Sequence, residues 1–198
     1  MIVLGLTGGI GMGKSTAAAM LRRMKVPVHD ADRAVHDLLG PRGGAVAAVV
    51  QEFPGVEAGG AIDRAVLGRR VFGDAAALRR LEAILHPLVR DDERRFLRRM
   101  CLHRVSLAVL DIPLLFETGG EARVDGVIVV TAPAFLQRRR VLARPGMSAT
   151  RLAAILARQT PDQVRRRRAD FVVPTGLGRA VTFRHLRRIV RLLRSGES

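Results

Sequence analysis

Tryptophan and tyrosine are absent from the 198 residues, and phenylalanine occurs only seven times. Few flat aromatic faces are therefore available to stack against the bases of a single-stranded nucleic acid. Cysteine occurs once, at Cys101, which excludes an internal disulfide and a zinc site of the cysteine type. Lysine occurs only at Lys14 and Lys25; the other 32 of the 34 basic residues are arginine, set against 18 acids for a net charge of +16. These arginines are scattered among alanine and glycine through helical stretches, a bias that genomic composition explains as readily as function. A nucleic-acid partner is not expected, whereas a basic surface suits an anionic small molecule. No apolar run is long enough to span a bilayer, and the N-terminal apolar stretch of about six residues meets glycine without a basic leader. The expectation is a cytoplasmic protein with no membrane partner.

What is present is ordinary for an ordered globular chain: 48% hydrophobic and 26% charged residues. At this length the chain can bury a substantial core, as a single domain over 1–198 that carries a smaller insert. Ile2 to Leu6 is short, apolar and bounded by glycine, as a buried parallel strand should be. A helix is predicted over Ser15 to Met24, and a second short strand in "VPVHDAD" from Val26. From Arg33 to about residue 104 the pattern is helical with glycine and proline breaks, a helical insertion rather than a linker. Further strands are predicted in "VSLAVLDIPLLFE", ending near Asp111, in "VDGVIVVTAP" and in "DFVVP", with helices at 134–143 and 149–158 and then the basic run Arg165 to Arg168. In the closing "RHLRRIVRLLR", Leu186, Ile189, Val190 and Leu193 share one helical stripe that suits a sheet better than a membrane. Strands alternating with helices predict an α/β fold, a five-stranded parallel sheet covered on both faces.

Gly8, Gly13, Lys14 and Ser15 satisfy G-x-x-x-x-G-K-[ST], after a strand and before a helix. Glycines allow backbone N–H groups to turn inward around phosphate oxygens, and the helix N-terminus adds positive potential. Gly11 and Met12 complete the cradle, Lys14 can reach the β- and γ-phosphates, Ser15 can offer its hydroxyl to Mg²⁺, and Thr16 lies close to the α-phosphate. The alternative is a glycine-rich turn with an incidental GKS; a dinucleotide fingerprint would leave the lysine and serine without a role. ATP with Mg²⁺ is the expected cofactor pair. No N-K-x-D element for guanine is present. The helical insertion and the arginine-rich segment of about 138–168 have the arrangement of acceptor-binding and lid regions in a three-layer P-loop kinase.

"LTGGIGMGKST", "HDADRAVHDLL", "IDRAVLGRRVF", "LEAILHPLV", "DIPLLFE" and the spacing of Gln137, Arg140 and Arg144, in that order, resemble the dephospho-CoA kinases from Leu6 to about Val173. The resemblance implies phosphorylation of the ribose 3′-hydroxyl of dephospho-CoA by ATP. The alternatives are another small-molecule P-loop kinase, acting on a nucleoside or nucleotide, and an arginine-rich nucleic-acid-binding ATPase.

Asp30 and Asp32 are two apart, so an extended chain would send both side chains to one side. The resemblance implies that Asp32 serves the 3′-hydroxyl and that Asp30 supports the site or the magnesium shell; alternatively Asp32 caps the helix that follows. Asp111, at a strand end, is either a carboxylate of the magnesium water shell or a turn residue. Leu114, Leu115 and Phe116 stand beside the acceptor in the family or are buried core, and Glu117 after them needs a polar partner or water. His86 and Arg64 are structural in isolation, with Asp63 a helix cap; the resemblance makes both acceptor contacts. Gln137, Arg140 and Arg144 share a helical face that is either solvated or, in a kinase, closes over the phosphates, Arg140 first. Two departures stand out. Pro145 occupies a place where the family commonly has an acid, and Thr175 stands where it usually has asparagine, which bears on lid geometry and adenine-side contacts.

Overall fold

The computed structural model describes residues 1–195. Ile2–Thr7 forms β1, buried from Leu4 onward, and the glycine loop leads from it into α1 (Lys14–Arg23). Next come β2 (Val28–Asp30), α2 (Ala31–Leu39), α3 (Val46–Glu52), the two-residue strands β3 (Glu57–Ala58) and β4 (Ala61–Ile62), α4 (Arg64–Val71) and α5 (Ala75–Leu102). The chain continues through β5 (Leu107–Asp111), a short 3-10 helix at Gly120–Arg123, β6 (Gly126–Thr131), α6 (Ala134–Leu142), α7 (Ala149–Arg158), α8 (Asp162–Arg167), β7 (Phe171–Pro174) and α9 (Arg179–Ser195). Two compact units result, one of residues 1–29 with 100–198 and one of residues 30–99.

The first unit is built on a five-stranded parallel sheet in the order β2-β5-β1-β6-β7. Every residue of β5 is buried, as are the first five of β6, which is why these segments read as unbroken apolar runs. Leu4 pairs with Val109 on one side and with Gly126 on the other, so β1 is central. The chain leaves β1 for the β2 edge, returns to β5, and only then crosses to β6. This reversal beside β1 makes its C-terminal end a switch point, where open α/β sheets form their ligand crevice. The core joins Leu4, Leu6, Leu107, Val109, Ile128 and Val130 of the sheet to Ala17 and Leu21 of α1 and to Leu186, Ile189 and Val190 of α9. Each fully buried leucine contributes on the order of 1.5–3 kcal/mol. The α9 stripe therefore packs on the sheet, with Leu193 partly buried against the same core.

The second unit has its own apolar centre, formed by Leu39, Val49, Phe53, Val56, Ile62, Leu67, Leu81 and Leu85. The β3–β4 hairpin turns on Gly59 and Gly60, both at positive φ (58° and 76°), the pair of left-handed residues that a tight type I′ turn requires. Asp63 caps α4 by accepting from the backbone N–H groups of Ala65 (2.8 Å) and Val66 (3.0 Å). Asp74 does the same for α5 with Ala76 and Ala77.

Two readings of this region are corrected. Pro87 does not break the helix: α5 runs through it for 28 residues. Proline removes one N–H, the donor to the carbonyl of Ala83, but Leu81 and Leu85 are anchored in the core, and that packing outweighs one lost bond. Asp30 and Asp32 do not lie together on an extended strand. β2 stops at Asp30, which is the helix cap (Oδ1 accepts from Arg33 N at 3.1 Å), and Asp32 sits exposed in the first turn of α2.

Candidate phosphate-binding site

The loop between β1 and α1 is shaped by close approach at Gly8. A Cβ there would lie 2.4 Å from Val130 Cγ2 and 2.8 Å from the Val130 carbonyl oxygen, so any side chain would push β1 and β6 apart. At the other end Gly13, the N-cap of α1, has φ of 90°, a left-handed conformation that turns the chain into the helix. Met12 N donates back to Gly9 O at 3.0 Å and closes the turn between them.

Three consecutive carbonyls of this loop accept from side chains that lie far away in sequence. Gln137 Nε2 donates to Ile10 O (2.9 Å), Arg140 Nη1 to Gly11 O (3.3 Å) and Thr175 Oγ1 to Met12 O (2.7 Å). Ile10 N in turn donates to Gln159 Oε1 (3.1 Å). With these carbonyls held on its outer side, the loop can present N–H groups to the other side, where the first turn of α1 adds N–H groups that lack intrahelical acceptors. That is an anion cradle.

Lys14 and Asp111 meet in an ion pair, Nζ to Oδ1 at 2.6 Å, with the side chains 15% and 4% exposed. β1–β5 register explains the meeting, since Leu6 stands opposite Asp111. Thr7 Oγ1 donates to Pro113 O (3.1 Å) and Ile112 N to Leu6 O (3.0 Å), fastening the start of "DIPLLFE" to the strand that carries the loop. Ser15 and Thr16 are exposed on the first turn of α1. Among the described residues no group of three or more His, Cys, Asp or Glu side chains could hold a metal ion. One hydroxyl, Ser15, and one carboxylate, Asp111, are a sparse donor set, and it fits Mg²⁺, which keeps most of its ligands as water and substrate phosphate.

Residues 2–177 match the family model described as dephospho-CoA kinase. The chain belongs to the dephospho-CoA kinase family. It is 61% identical to the dephospho-CoA kinase of Rhodospirillum rubrum over 196 residues, 98% of this chain and 93% of that protein. The crystal structure of a Thermus thermophilus protein, 38% identical, superposes with a TM-score of 0.83 over 96% of each chain. The dephospho-CoA kinase of Campylobacter jejuni, at 23% identity, shares the fold with a TM-score of 0.73 over 99% of this chain and 98% of that one.

The remaining positions singled out from the sequence fall in several environments. Arg140 is engaged by the protein itself: besides Gly11 O it donates to Thr175 Oγ1 (3.1 Å) and Thr175 O (2.8 Å). Arg144 does not continue the helical face of Gln137 and Arg140, because α6 ends at Leu142, and its side chain is exposed. Leu114 is 42% exposed, but Leu115 is fully buried and packs on Gly5, where a Cβ would stand 2.9 Å from it; Phe116 is buried too. Glu117 already has partners, accepting at Oε1 from Thr160 N (2.6 Å) and Arg165 Nη2 (3.2 Å). Burial alone would raise its pKa, but the Thr160 N–H and the Arg165 guanidinium outweigh it and hold the carboxyl below its ordinary range. In the second unit, His86 is exposed on α5, and Arg64 opens α4 with Nη1 2.8 Å from His36 Nδ1. A guanidinium only donates, so that ring nitrogen accepts and the imidazole proton stays on Nε2.

Sequence reasoning did not single out Gln159, Thr160, Arg165 or His36, nor give Thr175 its place under the loop. Thr175, standing where the family usually has asparagine, is 8% exposed, and a Cβ on Gly13 would meet its side chain at 3.1–3.3 Å. The basic run Arg165 to Arg168 also proves to be largely helical, in α8, with Arg165 buried and the other three exposed.

Proposed function

We propose that the protein transfers the γ-phosphoryl group of ATP to the ribose 3′-hydroxyl of dephospho-CoA, giving CoA and ADP, the last step of CoA formation, in the cytoplasm. The match to one family across residues 2–177, phosphate loop included, carries this reading. The ribose oxygen forms its bond to the γ-phosphorus, the bond from that phosphorus to the β-bridging oxygen breaks, and the hydroxyl proton passes to a carboxylate. Such a transfer asks mainly for positioning and charge stabilisation.

Lys14 leaves its ion pair with Asp111 for the β- and γ-phosphates, and the N–H groups of the Gly8–Thr16 loop cradle the chain of phosphates. Ser15 directly and Asp111 through water would hold Mg²⁺, which would supply neutralisation of the phosphate charge. Asp32 is assigned to receive the proton, and its exposure on α2 leaves the carboxylate accessible. Asp30 shapes the start of that helix; Arg64, His86 and Leu114 are assigned to the acceptor. Arg140 holds the loop through Gly11 and Thr175, whereas Arg144 is exposed and can close on the nucleotide. Within the segment of about 138–168, Arg140, Gln159 and Arg165 are tied to the loop and to Glu117. Closure as a lid would therefore fall to the stretch between them, around Arg144, and would exclude water and limit ATP hydrolysis.

The test is ADP release by the purified protein with Mg-ATP and a panel of acceptors, with the product site read by mass spectrometry. ADP release that requires dephospho-CoA and places phosphate on the 3′-oxygen is expected. Release driven equally by adenosine, AMP or RNA rejects the reading.

A further inference from the structure

Arg165 is 2% exposed, the one arginine among the described residues that is buried. Removing a guanidinium from water costs several kcal/mol unless good partners replace the solvent. Its partnering is incomplete. Nη2 reaches Glu117 Oε1 at 3.2 Å, but Arg165 Nε and Glu117 Oε2 are both buried with no hydrogen-bond partner. An ion pair selected only to hold the fold would close the two-pronged fork that arginine and carboxylate make readily.

The other amino group points elsewhere. A Cβ built on Gly9 would lie 2.6 Å from Arg165 Nη1, with Gln137 Nε2 and Gln159 Oε1 each at 3.4 Å. The guanidinium thus rests against the phosphate loop itself, and a side chain at position 9 would displace it. Gly9 stands at the end of the loop remote from Thr16, the residue expected beside the α-phosphate, so the outer phosphates are expected toward Gly9. Glu117 is fixed in turn by Thr160 N, so the arginine is held from behind.

We propose that Arg165 is a phosphate-contacting residue of the transfer reaction: Nη1 donates to an oxygen of the γ-phosphoryl group, while Glu117 acts as the positioning residue that holds the guanidinium over Gly9. This rests on the kinase reading above. A cation fixed in place before the reaction stabilises developing charge without reorganising. Glu117 accordingly serves the nucleotide through Arg165 rather than touching the acceptor.

The experiment compares wild type with R165K, R165Q and the double variant E117Q/R165Q. It measures turnover, melting temperature, and calorimetric affinity for ADP and for a non-hydrolysable ATP analogue. R165Q is expected to lower kcat about 10²- to 10³-fold with ADP affinity changed less than about threefold, and R165K to restore about tenfold of the loss. The double variant leaves no unpaired buried charge, so it should regain melting temperature while kcat stays low. Wild-type kcat in the double variant would overturn the proposal and make the pair merely structural. Should R165Q fail to fold, the double variant carries the same comparison. Should wild type show no dephospho-CoA-dependent ADP release, the functional reading fails separately. Arg165 is then judged by whether the double variant loses about tenfold in preference for the ATP analogue over ADP; an unchanged preference overturns the contact.

Discussion

In residues 1–29 and 100–195 several polar side chains are carried into the interior, whereas in residues 30–99 all but one are left nearer the surface. Of the buried polar and charged residues among those described, Thr7, His29, Asp111, Gln137, Arg165, Thr175 and Thr182 lie in the first unit and Glu93 alone in the second. A buried polar group must find its partner at hydrogen-bond distance, so each one fixes a direction as well as a contact. Buried Gln137 and Thr175, joined by half-buried Arg140 and Gln159, all bond to the same few residues of the glycine loop. The second unit packs by shape. Its charged pairs, such as Arg33 with Asp37, are 73% and 60% exposed and contribute little to stability. Damage to the first unit should therefore appear in kinetic constants, and damage to the interior of the second in melting temperature.

The largest expected effect crosses that division on purpose. On the proposed role, Asp32→Asn lowers kcat about 10²- to 10⁴-fold, the usual worth of a positioned base. Melting temperature should hold, because the residue is exposed and the cap of α2 belongs to Asp30. Steady-state kinetics beside a thermal melt checks both; turnover near wild type would remove the second unit from the chemistry. Leu81→Ala, in the apolar centre of the second unit, is the opposite case. A loss of about 2–5 kcal/mol is expected in denaturant unfolding. The kcat of the protein still folded at low temperature should be unchanged, and a large kcat defect would break the contrast.

The same division explains what could be read along the chain. The strands and the phosphate loop were legible because central parallel strands are continuous apolar runs and the glycine spacing is local. The α9 stripe was legible because Leu186, Ile189 and Val190 recur at the helical period. The contacts that shape the loop were not. Ile10 and Gln159 are 149 residues apart, and Met12 and Thr175 are 163 apart, so no local pattern joins them. Arg165 lay hidden in a run of four arginines, of which only the folded chain selects one for burial. The β3–β4 hairpin has two residues per strand, too few for any alternation to show, and Pro87 is a break by local rules that tertiary packing overrides.

Thr175→Val sharpens the comparison with a smaller change. Valine keeps the shape but gives Met12 O no donor, and an unpaired buried group costs about 1–3 kcal/mol. If Thr175 holds the loop, the KM for ATP should rise along with the stability loss. A drop in melting temperature with ATP kinetics unchanged would instead place Thr175 with the shape-packed residues of the second unit.

The smallest effect is a pH dependence. Glu117 titrates below its ordinary value of 4.5 despite its burial, because Thr160 N and Arg165 favour the carboxylate. The unfolded chain therefore takes up this proton more readily than the folded one. The stabilisation is complete above about pH 4.5 and is lost as the pH falls through the lower folded value. Asp63 and Asp74 have the same sign in the second unit, lowered first by the N–H groups of Val66 and Ala77, but Asp74 is exposed and Asp63 half-exposed. Unfolding free energies from pH 6 down to pH 3 separate the two units when wild type is compared with Glu117→Gln and with the Asp63→Asn, Asp74→Asn pair. Glu117→Gln should flatten the acid limb more than the pair does, since a carboxylate shielded from water feels its partners more strongly than exposed caps do. An equal flattening would mean that the buried pair beneath the phosphate loop is no more tightly held than an exposed helix cap.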